Sequence, residues 1–293
     1  MKRGLKLWSI NTDFYLKEAV KLYENGIFDY IELYVVPESL ETLSAWKKLN
    51  IPFIIHNSHF AQGFNLAKSE KAQRNREIYE QTKHFADELN AKYIIFHGGI
   101  DGNIEETAKQ LASFKEQRAL IENKPYVALP NRMGGEFCRG YSVDEIKTVM
   151  EVANCGFCFD FGHAICAANS MYDMNYPSPQ PYPSGGEGAV NYPPLEGVSE
   201  SLISGKGLSR HEFIYSYLET FLPMNPNMFH LTDINDITSP YDSHPHLGTG
   251  QLDFKRIFDM IPYDSYITFE TVKNSKENLN DFVEDMKWLR NFQ

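Results

Sequence analysis

The sequence contains no run of 18 apolar residues, which leaves it without a candidate transmembrane helix. The N-terminus, Met1-Lys-Arg-Gly-Leu-Lys-Leu-Trp8, passes straight into a strand-like segment and offers no apolar core of a signal peptide. These two absences predict a soluble, cytoplasmic protein with no membrane partner. Cysteine is scarce. The four thiols, Cys138, Cys155, Cys158 and Cys166, lack the paired spacing of a zinc ribbon. Cys155 and Cys158 do form a C-x2-C, but inside a strand-like run, where alternate side chains face opposite ways, so buried free thiols are expected. Positive charge is also in short supply, with 28 Lys and Arg against 39 Asp and Glu and a formal charge of −11. That balance argues against a broad basic surface for nucleic acid, although bound divalent cations would alter the local field. Apolar residues, by contrast, make up 42% of the 293-residue chain and aromatics 14%, enough to bury the core of an α/β barrel.

The stretch Phe157-Cys-Phe-Asp-Phe-Gly-His163 is an apolar run that ends in an acid, with a His three positions on. A buried parallel strand looks like this when its C-terminal end opens into a metal or catalytic site. The pattern recurs at Phe53-Ile-Ile-His56, Tyr93-Ile-Ile-Phe-His97, Ala119-Leu-Ile-Glu122, Met228-Phe-His230 and Tyr266-Ile-Thr-Phe-Glu270. With strand-like runs at 4–10 and 29–36, eight strands alternate with segments of helical spacing. Eight alternations close a (β/α)8 TIM barrel, here one domain over residues 1–293, with its site at the C-terminal ends of the strands. The rhythm breaks between His163 and His230. An insertion over about 166–210, rich in Pro, Tyr and Gly from 172 to 194, is expected to form an extended lid over the barrel mouth. Its Tyr172, Tyr176, Tyr182 and Tyr192 sit among prolines and could present aromatic faces to a sugar or base.

Histidines and carboxylates at the strand ends and in the following loops number nine: His56, His97, Glu122, Asp160, His163, His230, Asp242, His244 and Glu270. Four carboxylates converging on one mouth are costly to desolvate unless cations neutralise them. Mixed nitrogen and oxygen ligands favour zinc, manganese (Mn2+) or iron (Fe2+) over magnesium or calcium. Nine ligands exceed what one six-coordinate ion can use, so two or three divalent ions are expected, with Zn2+ the first choice.

His56-Asn-Ser, Phe96-His97-Gly-Gly, Ile121-Glu122-Asn, Asp160-Phe-Gly-His163-Ala, His230-Leu-Thr-Asp, Asp242-Ser-His244, His246-Leu-Gly-Thr-Gly250 and Phe269-Glu270-Thr resemble the successive signatures of the endonuclease IV family. These are the apurinic/apyrimidinic endonucleases (AP endonuclease family 2) of the xylose isomerase-like barrel superfamily. The resemblance spans nearly the whole chain. It implies one zinc on His56, His97 and Glu122, a second on Glu122, Asp160, His230 and Glu270, and a third on His163, Asp242 and His244. The implied chemistry is metal-assisted hydrolysis of a phosphodiester.

The loops after the first three strands depart from that family. They read Asn11-Thr-Asp-Phe, Val36-Pro-Glu-Ser and His59-Phe-Ala-Gln, without a cluster of Arg and Gln to meet DNA. The basic residues Lys68, Lys71, Arg74 and Arg76 fall at the start of a helix and read as a solvated face. Arg132 and Arg139 lie in an enlarged loop after the fifth strand. These features favour a small phosphorylated or sugar-like substrate over DNA with an abasic site. The candidate substrate-binding residues are His59, Arg132, Arg139 and His246. The competing reading is a sugar or sugar-phosphate isomerase or epimerase on the same scaffold. It would use one metal on Glu122, Asp160, His230 and Glu270 and two Glu to move protons at carbon. Glu122 and Glu270 are the candidate catalytic residues in either case. A non-catalytic binding protein would be marked by a missing ligand, and all nine are present.

Overall fold

Short apolar strands, inward and outward side chains alternating, set the architecture seen in the computed structural model, which describes residues 1–129, 135–175 and 208–292. The strands are β1 (Lys2–Trp8), β2 (Tyr30–Tyr34), β3 (Phe53–His56), β4 (Ile94–His97), β5 (Ala119–Glu122), β6 (Gly156–Asp160), β7 (Met228–Leu231) and β8 (Tyr266–Phe269). Each pairs in parallel with the next, and β8 returns to β1, so the sheet closes into a barrel. The helices between them are α1 (Leu16–Glu24), α2 (Leu43–Trp46), α3 (Ala72–Glu88), α4 (Ile104–Phe114), α5 (Val143–Ala153), α6 (Phe161–Asn175), α7 (Arg210–Glu219), α8 (Phe254–Met260) and α9 (Asn280–Leu289). Several begin where a side chain satisfies a free backbone N–H: Asn103 caps α4, Ser142 caps α5, Asp253 caps α8, and Ser209 with Glu212 forms a capping box on α7.

Two apolar layers follow from the period of two along each strand. Outward-facing Ile31, Leu33, Ile55, Phe96, Ile121, Phe157, Phe159, Phe229 and Phe269 join the helices in the main core. Each such side chain contributes roughly 1.5–3 kcal/mol by leaving water. Inward-facing Tyr30, Ile54, Ile95, Leu120, Cys158 and Met228 fill the barrel floor. Gly4 is required there. A Cβ on it would lie 2.5 Å from the Tyr30 ring, whose hydroxyl reaches Thr268 Oγ1 at 2.9 Å. The floor closes the barrel from below and confines chemistry to its upper end.

The expected insertion begins later than its sequence suggests. Residues 166–175 complete α6, which is buried from Phe161 to Met171 and packs against α7, with the Tyr172 ring 5.5 Å from that of Phe213. Small residues such as Ala164, Ala167 and Ala168 allow that close packing. Tyr176, Tyr182 and Tyr192, with most of the anticipated lid, lie outside the described residues. All four cysteines are free thiols, three of them buried. Among the described residues no helix is long and apolar enough to cross a membrane.

Candidate metal centre

Directly above the apolar floor, the next inward residue of every strand is polar: Lys6, Glu32, His56, His97, Glu122, Asp160, His230 and, just past β8, Glu270. The strand register places Lys6 beside Glu32, His97 beside Glu122 and Asp160 beside His230. The ring holds four carboxylates, three imidazoles and one ammonium. His163, from the first turn of α6, and Asp242 and His244, from the loop after β7, extend it towards the mouth.

The donor atoms converge on shared points. Glu122 Oε2 lies 3.1 Å from His56 Nε2 and 3.0 Å from His97 Nε2. His56 Nδ1 is 2.7 Å from the carbonyl of Asn57. That oxygen can only accept, so the ring proton belongs on Nδ1, and the lone pair on Nε2 faces a carboxylate oxygen. Two acceptors meet stably only around a cation. His230 repeats the arrangement. Its Nε2 is 2.9 Å from Glu32 Oε2, while Nδ1 faces Glu270 Oε1 at 2.8 Å, Glu122 Oε2 at 3.5 Å and Asp160 Oδ2 at 3.7 Å. This buried Nδ1 makes no hydrogen bond. A carboxylate that orients one imidazole nitrogen so the other can ligate is the usual support for a metal-binding histidine. Groups of three donors lying within 4.8 Å of one another are His56, His97 and Glu122; Glu122, Asp160 and His163; Glu32, His230 and Glu270; and Glu122, Cys158 and His230.

Electrostatics prepares these residues for cations. Burial holds the His97 imidazole well below its ordinary value, and burial with Lys6 lowers His56, so both are neutral ligands. Burial works against charge on Glu122, but His97, Lys124 and His230 outweigh it and keep the carboxyl far below the usual range. Lys6 is likewise opposed by burial, yet Glu270, Glu32 and Glu122 hold its ammonium above its ordinary value. On His230, Cys158, Glu32 and Glu270 overcome burial and drive the imidazole well up. His163 is pushed up to about 10, chiefly because Asp160 outweighs its burial.

Metal loading is therefore coupled to proton release. His230 and His163 carry protons at pH 7 in the metal-free chain because carboxylates surround them, and ions engaging those carboxylates remove the cause. Loading with Zn2+ at pH 7 is expected to release about one to two protons per chain, and affinity should rise with pH through neutrality. Calorimetry in buffers of different ionisation enthalpy measures the release. Loading without proton release would show that neither imidazole binds.

The mouth is a cavity of about 790 Å³. His56, His97, Glu122, His163, Asp242, His244 and Glu270 line its base, and Trp8, Ile10, Phe14 and Val272 stand exposed around its rim. His59 is on the wall, stacked 5.6 Å from His97 and kept neutral by burial, which lowers it to about 3. Lys124 and Lys273 line it too. Burial brings Lys273 down to about 8. Arg139 is instead tied to Glu145 Oε1 and the carbonyl of Asp101, both at 3.3 Å, and His246 sits between Asp285 and Asn274. Neither lines the cavity. Arg132 lies outside the described residues. Arg74 reaches Glu38 and Glu77, Arg76 the carbonyl of Ser113, and Lys68 Asp101, as expected of a solvated face. Lys6, Lys124 and Lys273 escape the sequence reading, as does the role of Glu32 beside His230.

The profile of xylose isomerase-like TIM barrels matches residues 20–292. No curated protein matches the chain. Among solved structures, a D-tagatose 3-epimerase-like protein is similar at TM-score 0.64 and 16% identity, covering 100% of this chain and 97% of the other. Endonuclease IV from Thermus thermophilus is similar at TM-score 0.59 and 17% identity, with coverage of 100% and 97%. The IOLI protein with a binding zinc atom is similar at TM-score 0.59 and 14% identity, with coverage of 99% and 96%. At such identities the likeness establishes the fold.

Proposed function

The chain belongs to the family of xylose isomerase-like TIM barrels, and from that premise we propose that it is a metal-dependent hydrolase of small phosphate esters or phosphodiesters. The observation that carries this reading is that Glu122 serves two cation pockets at once. His56 and His97 contact its Oε2 from one side, and His230 Nδ1 faces the same oxygen from the other, among Asp160 and Glu270. Divalent ions held there, of which zinc suits the donor set best and Mn2+ or Fe2+ are alternatives, would polarise phosphoryl oxygens and make a nucleophile available near neutral pH.

The chain's own residues do the rest. Glu32 holds His230 by Nε2, which leaves Nδ1 turned to the pocket. Lys124 and Lys273 put positive charge on the wall where an anionic substrate group would lie. Glu122 and Glu270 fix the positions of the cations. A cavity of about 790 Å³ suits a small ligand, and the acidic overall balance gives duplex DNA few phosphate contacts. The likeness to endonuclease IV from Thermus thermophilus supports the hydrolytic class, and abasic DNA is kept as a second partner to be tested.

The competing reading is a sugar or sugar-phosphate isomerase or epimerase with one ion on Glu122, Asp160, His230 and Glu270. The likeness to a D-tagatose 3-epimerase-like protein favours it, as does Glu32, an extra carboxylate in the ring. In that mechanism, however, the paired contacts of His56 and His97 with Glu122 have no task.

One assay separates these readings. Zn2+-loaded protein is presented with a panel of small phosphate esters, with ketose and aldose phosphates, and with a labelled abasic duplex at low and moderate salt. The expected result is metal-dependent hydrolysis of a small ester and weak binding to the duplex. Tight, steeply salt-dependent binding with incision at the lesion would overturn the small-substrate reading. Interconversion of sugars without phosphate release would establish the isomerase.

A further inference from the structure

We infer that Lys124 takes the place of a third metal ion, so that this chain holds two ions and completes its cationic centre with an ammonium. The inference rests on the metal-dependent reading above and concerns only the third ligand set, His163, Asp242 and His244. These residues do not assemble into a common pocket. Asp242 Oδ2 is 3.4 Å from His163 Nε2 and 2.9 Å from His244 Nε2, yet none of the close three-donor groups among the described residues includes Asp242 or His244.

A built-in cation stands there instead. Lys124 follows Glu122 by two residues, so it points to the same side of the chain, and its backbone N–H is held by the carbonyl of Gly140 at 2.9 Å. Its Nζ lies 2.9 Å from His163 Nε2 and 3.7 Å from Glu122 Oε1, and its side chain is only 7% exposed. His163 Nδ1 is 2.9 Å from the carbonyl of Asn123, which places the ring proton on Nδ1 and a lone pair on Nε2. The carboxylates that raise His163 are those that ions in the first two pockets would neutralise, so the neutral ring is the form that accommodates Lys124. A buried ammonium that uses the lone pair of His163 denies that lone pair to a metal, and its charge repels a divalent ion from the same few ångströms. Because Lys124 also lines the cavity, its remaining N–H donors face the position of a substrate anion.

The test is a metal count. Protein is saturated with Zn2+, desalted and analysed by elemental mass spectrometry, with Lys124→Gln and Lys124→Ala alongside and folding checked by circular dichroism. Two ions per chain are expected in the wild type and three in each variant, since His163 is then free to ligate. Three ions in the wild type, or two in all three proteins, would overturn the inference, and the wild-type count decides alone if neither variant folds. One ion or none in the wild type would overturn the two-pocket reading of the function as well, which keeps the two failures distinct.

Discussion

Glu122→Gln is expected to lower turnover on a small phosphate ester by roughly two to three orders of magnitude and to reduce the bound metal at the same time. The substitution keeps the volume of the side chain in a site where Glu122 is 1% exposed, so packing is preserved and the change is one of charge and donor type. Gln offers one weak acceptor and an NH2 group, whereas the carboxylate presents Oε2 to His56, His97 and His230 and Oε1 to His163 and Lys124. Loss of a bridging anion between two cations removes several kcal/mol of stabilisation, and each ~1.4 kcal/mol is a factor of ten in rate. Both sets of imidazoles stay in place, so each pocket keeps part of its affinity. The measurements are kcat on the best ester of the panel and ions per chain on the same preparation. Full turnover at normal occupancy would remove Glu122 from its shared position between the pockets.

How far the site could be read in advance depended on where each strand stops. β3, β4, β5 and β6 end on their inward polar residue, so His56, His97, Glu122 and Asp160 appear as the termini of apolar runs, and His230 stands one residue from the end of β7. β1 and β2 instead continue for two residues beyond the same level, through Leu7 and Trp8 and through Leu33 and Tyr34. Lys6 and Glu32 are thus enclosed within runs and carry no terminal mark. Counting inward positions from the strand register would have found them. Arg139 and His246 are the reverse case. Both seemed free for substrate in the sequence, and both are engaged by acids from helices remote from the mouth, Glu145 in α5 and Asp285 in α9. Partners of that kind depend on tertiary approach and leave no trace in local spacing. The barrel itself was legible because eight strand runs recur between helices with recognisable starts and stops. The early part of the insertion was misread because the Ala, Cys and Asn of 164–169 lack the polar face that marks a surface helix, being buried along their whole length.

Lys6→Met is expected to destabilise the metal-free protein by about 3–5 kcal/mol, the usual cost of removing one partner from a buried charge network. Lys6 Nζ stands 3.1 Å from Glu32 Oε1 and contacts Glu270, while Glu32 is fully buried with His230 as its other partner. Met fills similar space without charge, which leaves Glu32 and Glu270 without their shared counterion. The effect depends on pH in a defined direction. Burial opposes ionisation of Glu32, but His230 and then Lys6 lower it from 4.5 to about 2. A carboxylate depressed on folding contributes stability that is complete above its unfolded value and fades as pH falls towards its folded one, here between about 4.5 and 2. Without Lys6 that folded value rises, so the variant should lose less on acidification from pH 5 and the two denaturation curves should converge near pH 2. Zn2+ should also narrow the gap at pH 7, because ions on Glu270 and Glu122 take over part of the neutralisation that Lys6 provides. The experiment is denaturant unfolding of both proteins at pH 7 with chelator and with Zn2+, then with chelator at descending pH. Equal stability of the two metal-free proteins at pH 7 would show that the ammonium between Glu32 and Glu270 does not compensate the ring of buried carboxylates.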